Sequence, residues 1–321
     1  MADSAPAVER FLMDLASGCK PQAQADMQQL QAYATEQQGP NPLAAWDVAY
    51  YSEKLRQSRY DLSQEELKPY FALPQVQAGL FAVVNRIYGI EVTPCTGVST
   101  WHEDVGFYQV AYKGKAIGYF YFDLYARDQK RGGAWMDECR NRQYQANGKL
   151  QLPVAYLVCN FAAPVGDQPA LLTHNEVTTL FHEFGHALHG MLANSTYASL
   201  SGTSVYRDFV ELPSQILENW AVEKEFLDRF AVHYKTEEPI PAELVQKIVD
   251  SQNYQAGYLS VRQLSFGYMD MAWHTLEKPY TGKVKDFEEK AEHLINNKPP
   301  DITDIRNKTI KRHNPFVEWS N

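Results

Sequence analysis

Residues 173–190 read THNEVTTLFHEFGHALHG, and this stretch decides how the whole chain is interpreted. Thr173 and Glu176 form a capping-box pattern, which predicts that a helix begins here. About two turns further on, the pentapeptide HEFGH places His182 and His186 four residues apart. Residues at this spacing share one helical face, so the two imidazoles can reach a common ion. Zinc accepts neutral imidazole nitrogens readily, and we therefore predict that both histidines bind one Zn²⁺ ion.

Glu183 follows the first histidine directly, which places its carboxylate beside the ion rather than on it. In an HExxH helix a glutamate at this position is the general base that takes a proton from the attacking water. We therefore predict that Glu183 is catalytic. Because a pentapeptide also arises by chance, a purely structural helical protein with an accidental HExxH is a further interpretation of the chain.

The third ligand has two candidates in the sequence. No HxxGxxH pattern follows the motif, and His189 lies a full turn beyond the ion, so we disfavour a third histidine. Glu211, within RDFVELPSQ (207–215), stands at the start of a second predicted helix with Pro213 in its first turn. It follows His182 by 29 residues, enough for the second helix to return antiparallel to the first. An isolated glutamate is most often only a solvated charge. Glu218, two turns further on, either orients a ligand histidine or is a surface charge.

The pattern along the chain predicts a mainly α (α+β) protein, with a zincin-like helical body and a small embedded β-sheet. The apolar and aromatic spacing predicts these elements: two helical stretches over 7–38 broken near Gly18 and Pro21, helices over 44–58 and 74–88, strands over 107–112, 117–125 and 154–159, and helices from 173 to about 278. Lys113-Gly114-Lys115 is a hairpin signal, and Lys130 to Trp135 is a turn-forming stretch. No linker divides the chain, so we predict one catalytic-core region over 1–321.

The net charge of −9 and the pI of about 5.5 argue against nucleic acid and anionic membranes as partners, since both require a basic face. The four cysteines lie far apart without CxxC spacing, which favours free thiols over a zinc or disulfide framework. The N-terminus lacks the pattern of a secretory signal, and no apolar run is long enough to span a membrane. We expect a cytoplasmic protein. No pattern in the sequence bears on its oligomeric state.

The sequence resembles the M3 family of zinc oligopeptidases, which includes thimet oligopeptidase, oligopeptidase A and peptidyl-dipeptidase. The similarity covers about 40–275. Besides 173–190, it rests on these runs: WDVAYYSEKL (46–55), FYFDLYARDQKRGGAW (120–135), LPVAYLVCNF (152–161) and DFVELPSQILENW (208–220). The resemblance implies that Glu211 is the third zinc ligand beside His182 and His186, with Glu183 as the base.

The resemblance also implies a substrate class, namely short unstructured peptides bound in a channel along a sheet edge. We expect the strand around Val154 to Asn160 to be that edge. Residues 197–215 are closer to the peptidyl-dipeptidases than to oligopeptidase A. The chain departs from the family in lacking its N-terminal helical segment and the Gly- and Tyr-rich run that follows the region matching Trp273–His274. The tail 295–321 resembles nothing that we can place, and we interpret His293 and His313 as surface histidines.

We therefore predict a zinc metallopeptidase of oligopeptidase or peptidyl-dipeptidase type that acts on short peptides and comprises the catalytic core of its family. The alternative is a truncated, zinc-binding relative without peptidase activity of its own. The ligand types are also compatible with another divalent ion.

Overall fold

The computed structural model describes residues 2–295. The helices in this part are α1 (Ala5–Glu36), α2 (Ala45–Tyr60), α3 (Gln64–Leu67), α4 (Leu73–Tyr88), α5 (His174–Leu192), α6 (Arg207–Val210), α7 (Leu212–Glu218), α8 (Lys224–Phe230), α9 (Ala242–Ser251), α10 (Ala256–His274) and α11 (Val284–Ile295). The strands are β1 (Ile90–Pro94), β2 (Gly106–Tyr112), β3 (Lys115–Tyr125), β4 (Trp135–Arg140), β5 (Gln143–Tyr144), β6 (Leu150–Gln151) and β7 (Val154–Phe161). The predicted fold class, mainly helical with a small sheet, is confirmed.

The chain forms two compact units, one from Met1–Asp61 with Asp250–Asn321 and the other from Leu62–Val249. The first unit contains α1, α2, α10 and α11, and the second contains every strand named above. The assignment of one catalytic-core region to 1–321 stays a prediction. Residues 296–321, including His313 and nearly all of the unplaced tail, lie outside the described residues, as does the side chain of His293.

In the first unit, α1 is one continuous helix, so the predicted break near Gly18 and Pro21 is wrong. Proline inside a helix removes one backbone hydrogen bond. Tertiary packing outweighs that loss, because the helix buries a long face that includes Ala23 and Leu30. A Cβ at Gly257 of α10 would lie 2.7 Å from the Ala23 nitrogen, so the two helices are in backbone contact there.

The second unit is built on a mixed five-stranded sheet of order β1-β2-β3-β7-β4, in which β3 and β7 are parallel and the other neighbours antiparallel. The predicted β2–β3 hairpin is confirmed. Its turn residues Lys113 and Gly114 have φ values of 49° and 75°. Positive φ at both central positions is the geometry that matches the twist of the flanking strands, and glycine adopts it without strain.

The expectation that Val154 to Asn160 forms the sheet edge is wrong. These residues belong to β7, which pairs with β3 on one side and β4 on the other. The backbone groups of β7 are therefore taken by its neighbours, and β4 lies at the edge instead. The stretch from Lys130 to Trp135 leads into β4, a strand that the sequence did not predict.

The core of this unit lies between one sheet face and the helices α4 and α5. Phe120 and Phe122 of β3 are buried on that face, where their rings lie 5.3 and 6.0 Å from that of Phe184 in α5. Phe81 of α4 stacks on Phe122 at 6.1 Å. The aromatic cluster fixes α5 against the sheet, and with it the HEFGH residues.

Among the described residues, no helix is both long and apolar enough to cross a membrane.

Candidate metal centre

The helix that carries the HEFGH motif begins where the sequence predicts. The Thr173 hydroxyl accepts a hydrogen bond from the Glu176 backbone N–H at 3.2 Å, and the Glu176 carboxylate accepts one from the Thr173 N–H at 2.7 Å. This reciprocal capping box satisfies two backbone donors at the start of α5. Two turns on, the rings of His182 and His186 lie 4.9 Å apart, centroid to centroid. The two imidazoles thus project from one face of a fixed helix.

The second helix, α7, packs directly on the first. Glu211 is its N-terminal capping residue, and Pro213 occupies its first turn, as the sequence predicts. A Cβ at Gly185 would lie 2.6 Å from the Pro213 carbonyl oxygen, so the two backbones touch only because residue 185 is glycine. Glu218 lies beside His182, which precedes Gly185. The earlier residue of α5 thus contacts the later residue of α7, so the two helices run antiparallel.

The close packing brings three potential ligand atoms together. Glu211 Oε2 lies 3.3 Å from His182 Nε2 and 3.1 Å from His186 Nε2, and the three ligand atoms are all within 4.8 Å of one another. Tetrahedral zinc with ligand bonds of 2.0–2.1 Å separates its ligand atoms by about 3.3 Å. The two nitrogen–oxygen distances therefore fit a divalent ion with two imidazoles and one carboxylate.

Glu218 fixes the orientation of the first imidazole. Its Oε1 lies 2.6 Å from His182 Nδ1. A carboxylate only accepts hydrogen bonds, so Nδ1 is the donor, and in the neutral imidazole this leaves the Nε2 lone pair directed at the cluster. Of the two roles open to Glu218 on sequence grounds, this contact supports orientation of a histidine.

Local electrostatics favour the protonation states that a metal requires. Burial lowers the pKa of His186 by more than the Glu211 carboxylate raises it, which favours the neutral imidazole. Burial alone would raise the pKa of Glu211. A 2.9 Å hydrogen bond from Ser214 Oγ and the two nearby histidines outweigh that effect, so its pKa lies below the ordinary value. Neutral imidazole and ionised carboxylate are the metal-binding forms.

Glu183 occupies a different environment from the three cluster residues. It is buried, at 7% exposure, and burial is the main reason that its pKa lies above the ordinary value, with a smaller contribution from the Glu211 carboxylate. Its carboxylate accepts a hydrogen bond from the Met136 backbone of β4. A carboxylate with a raised pKa, held beside the cluster and not among its members, is suited to accept a proton.

His189 is not part of the cluster. Its ring packs 6.0 Å from that of Phe209, and burial lowers its pKa.

Sequence reasoning missed the contribution of β4, which supplies the Met136 contact and also Glu138. Gly202 packs closely against Glu138 and Gly190. A Cβ at Gly202 would lie 2.6 Å from Glu138 Oε1 and 2.9 Å from the Gly190 Cα. The signal in the sequence is the segment WMDECR after the Gly132-Gly133 turn, but its alternation is too weak to identify a strand.

Comparison with known proteins identifies the family. The family model described as "Peptidase family M3" matches residues 1–310. The chain belongs to peptidase family M3. The predicted resemblance is confirmed, and the match extends beyond the range 40–275 recognised in the sequence.

Three M3 relatives illustrate the similarity. Oligopeptidase A of Escherichia coli is 49% identical over 284 residues, which are 88% of this chain and 42% of that protein. The probable cytosolic oligopeptidase A of Arabidopsis thaliana is 42% identical over 280 residues, 84% of this chain and 40% of the relative. Dipeptidyl carboxypeptidase of E. coli is 39% identical over 294 residues, 91% of this chain and 43% of the relative. The chain thus spans about two fifths of the length of these relatives.

Proposed function

We propose that this chain forms the zinc-binding core of a peptidase that hydrolyses short oligopeptides, of the oligopeptidase or peptidyl-dipeptidase type. In this proposal His182, His186 and Glu211 hold one Zn²⁺ ion. Glu183 is the general base. The observation that carries the proposal is the convergence of three ligand atoms within 4.8 Å, with a buried glutamate beside them.

The chemistry divides between the ion and the chain's own residues. A zinc ion held by two imidazoles and one carboxylate keeps a position for water, lowers the pKa of that water and polarises a carbonyl. Glu218 holds His182 in the tautomer that leaves Nε2 available. Glu183 takes the proton of the attacking water and can pass it to the leaving amine, since its raised pKa makes it a stronger base than an ordinary carboxylate.

The substrate would lie along β4. The outer side of this strand has no partner strand in the described part of the chain, so an extended peptide can pair with it. The Met136 backbone of β4 contacts Glu183, and a peptide bond aligned with β4 therefore comes next to the base. The names of the E. coli relatives, oligopeptidase A and dipeptidyl carboxypeptidase, support short peptides as the substrate class.

The test measures metal content and cleavage of a quenched fluorescent peptide on the same preparations. We expect one equivalent of zinc in the wild-type chain and activity that a chelator abolishes. Glu183→Gln should keep its zinc and lose activity by at least 100-fold, because only the proton acceptor is removed. His182→Ala should lose the metal. Glu91→Gln, which alters an exposed carboxylate on β1, is the matched control and should behave as wild type.

Two outcomes would contradict the proposal. Activity that persists in Glu183→Gln would remove this residue as the base. Stoichiometric zinc without any cleavage would instead favour the zinc-binding relative that lacks peptidase activity.

A further inference from the structure

A cavity of about 610 Å³ lies on the sheet face opposite α5. Strand β3 alternates between the two faces: Phe120 and Phe122 point to α5, whereas Tyr121 and Asp123 point the other way. The cavity is therefore separated from the candidate metal centre by the thickness of the sheet.

The cavity has an excess of positive charge. Three cations line it, Arg127, Lys130 and Arg131, against two carboxylates. Asp123 is the buried carboxylate of the two, and both of its oxygens already accept hydrogen bonds. Its Oδ1 accepts from Arg127 Nη1 at 2.7 Å and from Lys130 Nζ at 3.0 Å. Its Oδ2 accepts from Arg127 Nη2 at 2.7 Å and from Trp101 Nε1 at 2.9 Å.

Two arginines retain hydrogen-bond donors. The guanidinium of Arg127 donates two of its five N–H groups to Asp123. Arg131 is exposed, and its guanidinium has no ion-pair partner among the side chains that the structure describes. Planar guanidinium groups with unused donors bind carboxylates in bidentate geometry.

Aromatic side chains form the rest of the wall. Trp101 is 51% exposed, yet its indole is fixed by the bond to Asp123 and by ring contacts with Tyr121 at 5.0 Å and Tyr156 at 5.5 Å. Trp135 of β4 lines the same cavity. A large aromatic surface that is exposed but held rigid costs little conformational entropy when a ligand packs on it.

We propose that this cavity binds a small aromatic carboxylate, with the carboxylate at Arg127 and Arg131 and the ring against Trp101 and Trp135. Such a group is presented by the C-terminal residue of a peptide that ends in Phe, Tyr or Trp, and by free aromatic acids. The site is distinct from the three proposed metal ligands and does not depend on the peptidase proposal.

The test is isothermal titration calorimetry of the chelator-treated protein with N-acetyl-phenylalanine, so that neither zinc nor activity enters the measurement. For a ligand of this size we expect a Kd of about 0.5 mM. N-acetyl-phenylalanine amide, the neutral counterpart, should bind at least 10-fold more weakly, because it lacks the charge-assisted hydrogen bonds. A parallel titration with 3-phenylpropanoate distinguishes a peptide C-terminus from a free aromatic acid as the ligand. Tighter binding of the acetylated amino acid indicates a peptide C-terminus, and equal binding indicates any aromatic acid.

Arg131→Gln is the informative variant, because its exposed side chain can be replaced without breaking the Asp123 ion pairs. It should weaken N-acetyl-phenylalanine about 10-fold and leave binding of the amide unchanged. Lys115→Gln removes an exposed cation at the β2–β3 turn, outside the cavity, and should bind as wild type.

The inference is overturned if the acid and the amide bind equally, if inorganic phosphate competes at the same concentration as the aromatic acid, or if Arg131→Gln binds as wild type does. Loss of peptidase activity would not affect these results, so failure here and failure of the proposed function are distinguishable.

Discussion

The contact between α5 and α7 at Gly185 sets the position of Glu211 relative to the two histidines, and Gly185→Ala tests this directly. The new methyl group would lie 2.6 Å from the Pro213 carbonyl oxygen and 2.6 Å from the Ser214 Cα. Both neighbours are backbone atoms and cannot rotate away. Helix α7 must therefore retreat by about 0.4–0.8 Å to restore ordinary contact distances.

Such a displacement exceeds the distance tolerance of about 0.2 Å that a metal site allows. We therefore expect zinc affinity to fall by about 10- to 100-fold, the range seen when residues that orient metal ligands are altered. Stability reflects two opposing effects. Alanine is favoured over glycine in a helix by about 1 kcal/mol, whereas overpacking costs about 1–3 kcal/mol.

Gly190→Ala in the same helix is the matched control. It gains the same helical preference, but its methyl group meets only the Glu138 carboxylate, at 3.3 Å. That group ends a side chain and can shift. Gly185→Ala should therefore be about 1–3 kcal/mol less stable than Gly190→Ala in urea unfolding. Zinc affinity is measured by competition with a chromophoric chelator. If the two variants bind zinc equally well, the close approach at Gly185 does not position Glu211.

Three further changes test the framework around the site. Phe184→Ala removes a fully buried ring from the core and should lower the free energy of unfolding in urea by about 3–5 kcal/mol. Phe184→Leu should lower it by less. A decrease under about 1 kcal/mol in Phe184→Ala would contradict the packing. Burial raises the pKa of Asp123, but hydrogen bonds from its neighbours lower it to about 2, below the ordinary 3.8. Its ionised form therefore contributes about 2 kcal/mol to the free energy of unfolding above pH 4. Roughly half of this contribution should be lost by pH 3 in the wild type, whereas Asp123→Asn should show no such loss. Thr173→Ala should cost about 1 kcal/mol by removing the α5 cap, and Thr173→Ser should restore most of it.

Much of the site was predictable because its signals are local. The capping box at Thr173 and the spacing of His182 and His186 depend on one helix alone, and helical geometry fixes what they present. The hairpin at Lys113-Gly114 is likewise specified by its own two residues. Each of these features needs no knowledge of distant contacts.

The features that the sequence did not reveal depend on neighbours. An alternating apolar strand such as β7 has the same pattern whether one or two strands flank it, so its burial between β3 and β4 could not be read in advance. Pro21 indicates a helix break by its own chemistry, and only the packing of α1 on α10 overrides it. Glu211 was a ligand candidate from its place at the start of the second predicted helix, and the family resemblance selected it as the third ligand. Its place beside the histidines depends on Gly185, a contact across 26 residues of sequence.

The packing of α5 on α7 also bears on which cation the site prefers. Glu211 Oε2 lies 3.1 and 3.3 Å from the Nε2 atoms of His186 and His182, and lone pairs that face each other at such distances repel unless a proton or a metal ion lies between them. Burial lowers the pKa of the His186 imidazole, which disfavours protonation of that ring. The divalent ion that we propose would satisfy all three side chains at once, and the helix contact at Gly185 holds α7 in place against α5. In the proposed metal site, folding of the second unit would therefore bring the three ligands together before any substrate arrives.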